Sequence, residues 1–343
     1  MFIEVVKKIS YVRYVMDDPC TQFACHIISK HVPTWVDSTH HIVVEKMSGL
    51  ANTCYRVYKV HDPHESFVYR PRMVRGPHDR EGDVFRQMSE EGLGPKLIHQ
   101  NTEYRIESFV HGRTLELREL RNPEIMNASI SAIHRMHLCL TGQGSTAIEL
   151  AIDVWAPRVK RRLYAIRDNT TSPYIQATAN MICDEFLEDG YLKRLLTMVR
   201  GFETTVMSHN DVHELNIIYN EENVVTLIDY EHCMPNPQMY DVANYLNEFA
   251  VDNRDGSYHP QLKATRRDIE TATRCYHELD GGIWSDEDDI CRARLNEVKQ
   301  CMILSHFYWC MWGIDVLIDE NDEGAFNWRF CRGRCQAHSE CSH

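Results

Sequence analysis

Apolar and polar positions change period several times along this chain, and the changes divide it. Residues 1–37 read as helical, with Trp35 after Pro33 marking the exit. From Ile42 to Val60 the pattern becomes strand, short turn, strand, in HIVVEKMSGLANTCYRVYKV. A further strand, SFVYRPRM, follows the polar stretch His61–Glu65. DREGDVFRQMSEEG returns to helical spacing, with Val84, Phe85 and Met88 on one side and a stop at Gly92. KLIHQ and YRIESFV suit two more strands. Beyond Pro123 the spacing is mostly helical, as in Ile125–Cys139, 175–200 and 264–279. A β interruption runs from Asn216 to Tyr230, with a turn at Glu221–Asn223. These patterns predict an α+β fold with three parts: a helical segment over 1–37, a small β-rich N-terminal lobe over 38–112, and a larger, mostly helical C-terminal lobe over 113–343.

Composition agrees with two packed lobes. A chain of 343 residues, 43% hydrophobic and 25% charged, can bury two cores. Glu4, Lys7 and Lys8 interrupt the first apolar residues, which argues against a signal peptide. No run approaches the roughly 20 apolar residues of a membrane helix. A cytoplasmic protein without membrane insertion is expected. The 13 cysteines, an odd number without even spacing, are expected to be reduced thiols. Cys331, Cys335, His338, Cys341 and His343 are ligand types that suit zinc, but their spacing fits no common finger. The formal charge of −13 excludes general affinity for nucleic acid. Acidic runs at 286–289 and 319–323 suit solvated loops, or a field that attracts a cationic substrate.

The densest chemistry lies in SHNDVHELNIIYNEENVVTLIDYE, residues 208–231. Phosphoryl transfer needs a carboxylate to accept a hydroxyl proton and hard oxygen ligands to hold magnesium on the phosphates. His209, Asp211 and Asn216 have the H-x-D-x-x-x-x-N spacing that supplies both in one loop. Asp229 then ends the following hydrophobic hairpin. Asp211 is the candidate base, Asn216 and Asp229 are candidate magnesium ligands, and His209 is a candidate brace of the catalytic loop. The bland alternative is that Asp211 and Asn216 only cap a loop.

The upstream lobe offers parts for a nucleotide. Ser48 and Asn52 bracket a loop between two strands that could cover phosphates, although one glycine also suits an ordinary hairpin turn. Arg70 stands where a basic strand residue would hold α- and β-phosphates. Glu81, on the next helix, is its natural ion-pair partner. Glu107 to Val110 would offer backbone groups to adenine.

Taken in order, SGLANTCYRV, LGPKL, YRIESFVHGRTL, HNDVHELNIIYN, LIDYEHCMPNPQMYDVANYLNEFA and SHFYWCMW resemble the choline/ethanolamine kinase family, a branch of the protein-kinase-like fold. The likeness runs from about residue 45 to residue 312. It implies ATP- and Mg2+-dependent phosphorylation of a small amine alcohol, the first step toward phosphatidylethanolamine or phosphatidylcholine, and the family includes homodimers. Glu248, Trp309 and Trp312 match the positions that line the amine pocket, and ammonium groups are attracted to indole faces. Trp309 and Trp312 are three apart, on one helix face, a spacing that plain core packing also produces. The chain departs from the pattern at Phe249, at His232, and at Phe330 or Cys331, where aromatic residues of other types are expected; Phe326 and Trp328 are further candidates. NIIYN, IDYE and NEFA tilt the resemblance toward ethanolamine. Other small-molecule kinases of the same fold, acting on an aminoglycoside, thiamine or a sugar, share the loop but not NEFA or SHFYWCMW. A pseudokinase binding module would have no need for Asp211, Asn216 and Asp229 together.

Overall fold

The computed structural model describes residues 13–14, 19–35, 42–47, 54–71 and 80–341. It divides into two compact units, Met1–His111 and Gly112–His343. Ser48 and Asn52 lie outside the described residues.

The first unit is built on an antiparallel sheet. Its elements are β1 (Arg13–Tyr14), α1 (Pro19–His31), β2 (Ile42–Met47), β3 (Cys54–Lys59), β4 (Asp62–Pro71), α2 (Glu81–Glu90), β5 (Leu97–Gln100) and β6 (Tyr104–Ser108). The strand order is β1-β2-β3-β4-β6-β5. Residues 1–37 are therefore not wholly helical: Arg13 and Tyr14 pair with Glu45 and Val44. Ala24 and Ile28 of α1, with Trp35 beyond it, share one core with Val44, Val57, Phe67 and Ile106 of the strands. Val84, Phe85 and Met88 of α2 are buried, and Gly92, at φ 67°, supplies the left-handed residue that ends the helical run.

Helices dominate the second unit. They are α3 (Pro123–Cys139), α4 (Ala147–Leu150), α5 (Ala156–Asn169), α6 (Pro173–Phe186), α7 (Asp189–Arg200), α8 (Tyr240–Asn247), α9 (Arg266–Leu279), α10 (Asp289–Asp315) and α11 (Phe326–Cys341). Between them lie three two-stranded pairs, formed by β7 (Thr205–Ser208) with β10 (Met234–Pro237), β8 (Ile217–Tyr219) with β9 (Val225–Leu227), and β11 (Val251–Asp252) with β12 (Ser257–Tyr258). The stretch 175–200 is two helices, because Glu188 accepts from the Tyr191 N–H at 3.1 Å and starts a new one. The β8–β9 hairpin forms as the sequence suggests, with Asn223 in the left-handed conformation its turn requires.

The long α10 is the axis of this unit, packed against α8, α9 and α11. Two glycines seat α11, one against α10 and one against β12. A Cβ on Gly313 would lie 2.5 Å from Cys331 Sγ, and one on Gly333 would lie 2.6 Å from Tyr258 Cβ. Cys331 and Cys335 are buried in this interface, while Cys341 is exposed. His338 Nδ1 instead meets Glu185 Oε1 at 2.5 Å. Among the described residues no helix is long and apolar enough to cross a membrane.

Candidate active site

The loop after β7 is held by side chains from one face of α8. Asp241, fully buried, accepts the backbone N–H of His209 at 2.7 Å and of Asn210 at 2.8 Å. It also accepts from His137 Nε2 at 2.9 Å, and His137 Nδ1 pairs with the Tyr276 hydroxyl at 2.7 Å. One turn along, Asn244 Oδ1 accepts the Val212 N–H at 2.8 Å. Positions 241, 244 and 248 recur at helical spacing on α8 and the turn that follows it, so this polar stripe belongs to the loop and its surroundings. Asn210 takes φ 68°, a conformation asparagine tolerates better than most residues. Its amide donates to the His232 carbonyl at 2.7 Å and accepts from Asn236 at 2.6 Å. Sequence reading missed Asp241, Asn244, Asn210 and His137. The available signal was YDVANYLN itself, a helix whose polar residues are buried with its apolar ones.

Within the loop, Asn216 Nδ2 donates to Asp211 Oδ2 at 2.9 Å and to the Asp211 carbonyl at 3.0 Å. Ile228 is gripped at both of its backbone groups. Its N–H donates to the Asn216 carbonyl at 3.0 Å, and its carbonyl accepts from His209 Nε2 at 3.0 Å. His209 Nδ1 accepts the Asp211 N–H at 3.3 Å, so the ring is neutral, as burial also favours. The structure thus gives His209 a bracing position. Next in the chain, Asp229 has φ 69°, a costly conformation for a residue with a Cβ. Asp211, Asn216 and Asp229 therefore belong to one interlocked backbone unit, with oxygen donors of the hard type that magnesium takes.

The electrostatics favour an ionised Asp211. Burial alone would raise its carboxyl, but the neighbouring His213 above all, with His232, holds it well below the usual carboxylate range. His213 Nε2 lies 3.5 Å from Asp211 Oδ2. Glu214 is buried beside it, accepting from the Asn253 N–H at 3.0 Å and from Asn253 Nδ2 at 3.1 Å, with Arg254 Nη1 at 3.6 Å. Its burial penalty is likewise outweighed by His213 and Asn253, and its carboxyl is lowered. A carboxylate depressed by the fold contributes stability above its unfolded value of about 4.3, and that contribution fades as pH falls through the folded value. Glu214→Gln is thus expected to lower Tm at pH 7, with the gap to wild type closing as pH falls toward 3. Thermal unfolding across that range checks this, and a gap constant with pH would refute it.

A cluster of aromatic rings lies beside the loop. Trp309 and Trp312 of α10 are 5.2 Å apart between ring centroids, and Phe330 of α11 is 6.4 Å and 6.3 Å from them. His232 packs at 5.0 Å from Trp309 and 5.9 Å from Trp312, while its carbonyl accepts from Asn210 of the loop. His232 therefore connects the loop that carries the candidate base with the aromatic cluster. Phe326 stacks on Phe330 at 5.2 Å. Trp328 and Cys331 are fully buried. Phe249 faces elsewhere, against Tyr245 and the Arg121 guanidinium. Glu248 is buried and already partnered, by Arg334 Nη2 at 2.7 Å, Asn253 Nδ2 at 2.9 Å and Asn244 Nδ2 at 3.1 Å. It is an oriented acceptor with a guanidinium partner.

In the first unit, Arg70 and Glu81 approach to 4.0 Å, but Glu81 has a nearer partner in Arg105 at 2.8 Å. Arg105 is buried, bonds Glu107 at 2.6 Å, and lies 3.8 Å over the Phe85 ring. Arg70 and Arg105 are direct partners across β4 and β6, which is why one glutamate serves both. β6 has β4 on one side and β5 on the other, so the Glu107 backbone sits within the ladder. Val110 lies beyond the end of that strand.

Known proteins resemble this chain in sequence and in fold. The family model described as Choline/ethanolamine kinase matches residues 44–331. "Probable choline kinase 3" of Arabidopsis thaliana is 28% identical over 249 residues, which cover 69% of this chain and 66% of that protein. The match thus spans just under two thirds of that relative's length. Among solved structures, choline kinase from Cryptosporidium parvum superposes with a TM-score of 0.73, at 20% identity, covering 94% of this chain and 95% of the other. Plasmodium vivax ethanolamine kinase gives 0.70, at 17% identity, covering 92% and 88%. These likenesses show a protein-kinase-like fold, with a small β-rich part followed by a larger helical one. With the family pattern extending over most of its length, the chain belongs to the choline/ethanolamine kinase family.

Proposed function

We propose that this protein transfers the γ-phosphoryl group of ATP, in the presence of Mg2+, to the hydroxyl of ethanolamine, with choline as the weaker substrate. The observation that carries this reading is His232, whose carbonyl accepts from Asn210 beside Asp211 and whose ring packs on Trp309 and Trp312 of the aromatic cluster. A small alcohol whose amine lies at the aromatic cluster would direct its hydroxyl toward Asp211.

Each residue has a defined task in this reading. Asp211 orients the hydroxyl and accepts its proton as the oxygen attacks. Asn216, its amide nitrogen turned to Asp211, would offer its amide oxygen, with the Asp229 carboxylate, as a ligand to bound Mg2+. Mg2+, when bound, supplies neutralising charge at the transferring phosphate. His209 and Asp241 hold the loop, so little reorganisation is needed at the moment of reaction. In the first unit, Arg70 backed by Glu81 is the proposed phosphate-holding cation, and the Val110 backbone the proposed partner of adenine.

The test is ADP release by the purified protein with ATP, Mg2+ and a panel of ethanolamine, choline, an aminoglycoside, thiamine and a sugar. Ethanolamine should give the highest kcat/KM, with choline second. A tenfold preference for choline would overturn the ethanolamine assignment. Activity confined to the aminoglycoside, thiamine or the sugar would overturn the amine-alcohol reading, and nucleotide binding without turnover on any acceptor would indicate a binding module.

A further inference from the structure

Arg334 of α11 is only 1% exposed. Its Nη2 donates to Glu248 Oε1 at 2.7 Å, and its guanidinium carbon lies 4.6 Å from the Phe330 ring centroid. Its Nε and Nη1 are buried without a hydrogen-bond partner. An arginine kept for the fold alone would use these donors, because each orphaned N–H gives up hydration and gains nothing in return. What Arg334 does engage is Glu248 and Phe330. The close α10–α11 contact at Gly313 and the contact of Gly333 with Tyr258 leave α11 little room to slide, so the guanidinium is held in register with both.

A carboxylate with a guanidinium partner is an acceptor fixed in direction, with its net charge balanced. One face of Phe330, a member of the aromatic cluster, is already covered by an internal cation. We propose that Arg334 is a positioning residue that sets amine selectivity: through Glu248 it orients a neutralised acceptor, and over Phe330 it takes the ring face that a trimethylammonium head would use. A primary ammonium brings N–H donors to such an acceptor. A trimethylammonium group brings none and needs the aromatic faces instead. This inference rests on the amine-kinase reading above.

The experiment measures kcat and KM for ethanolamine, choline and ATP in wild type, Arg334→Gln, Arg334→Lys, Glu248→Gln and the Glu248→Gln/Arg334→Gln double variant. Arg334→Gln is expected to raise the ethanolamine KM about tenfold, the size of one lost charge-assisted contact, while the ATP KM stays unchanged. The ethanolamine-to-choline ratio of kcat/KM falls with it. Arg334→Lys, which keeps the charge, recovers part of the loss. Because Arg334 acts on ethanolamine through Glu248, Arg334→Gln adds less than about twofold to the ethanolamine KM on the Glu248→Gln background. That comparison stands even if the single Arg334→Gln variant fails to fold, since the double variant leaves no unpaired buried charge. Additive effects on the ethanolamine KM, or a selectivity ratio unmoved in Arg334→Gln, would overturn the inference while leaving the kinase reading in place. A wild-type protein inactive on both amines would remove the two together.

Discussion

Replacing Asp211 with asparagine is expected to lower kcat by about 10²–10⁴-fold, the range of general-base catalysis, while ATP binding survives. The substitution is nearly isosteric, and the loop is held through backbone groups by Asp241, Asn244 and His209. Positioning is therefore retained and proton acceptance is lost. Steady-state kinetics with ethanolamine, paired with nucleotide binding, measures both halves. Near-normal turnover would show that another carboxylate takes the proton.

Asp229→Ala is expected to abolish activity and to weaken Mg-ATP far more than metal-free nucleotide, because the lost oxygen is one that would reach the phosphates through the metal. Alanine at φ 69° adds backbone strain of its own. Asp229→Asn separates the two effects, since asparagine tolerates that conformation and removes only the charge. Calorimetric titration with ATP, with and without magnesium, reads the difference. Equal affinities in both conditions, for wild type and variants alike, would contradict the assignment.

What the sequence revealed and what it hid follow from the range of the interactions. The β2–β3 pair, the β8–β9 hairpin and α2 were legible because each is specified within about twenty consecutive residues by its period and its turn. The spacing of His209, Asp211 and Asn216 was equally local. Of the 27-residue α10 only the helical spacing of Trp309 and Trp312 was legible, because much of its length is buried on more than one side and its apolar residues show no single stripe. Arg105 was missed for a different reason. Its claim on Glu81 comes from its register opposite Arg70 across two strands, a pairing between positions 35 residues apart in sequence. Arg334 escaped similarly, since 86 residues separate it from Glu248.

The α8 stripe has a consequence for how such a protein can diversify. Asp241 and Asn244 hold the reacting loop, and Asn244 also donates to Glu248, so a substitution along this stripe disturbs chemistry and recognition at once. Phe330 and Arg334, on α11, have contacts with the aromatic cluster and Glu248 but no hydrogen bond to the loop backbone at 209–212. On the proposed reading, drift in acceptor preference has a path of low pleiotropy along α11, where a new head group can be accommodated while the phosphate-transfer apparatus is inherited unchanged.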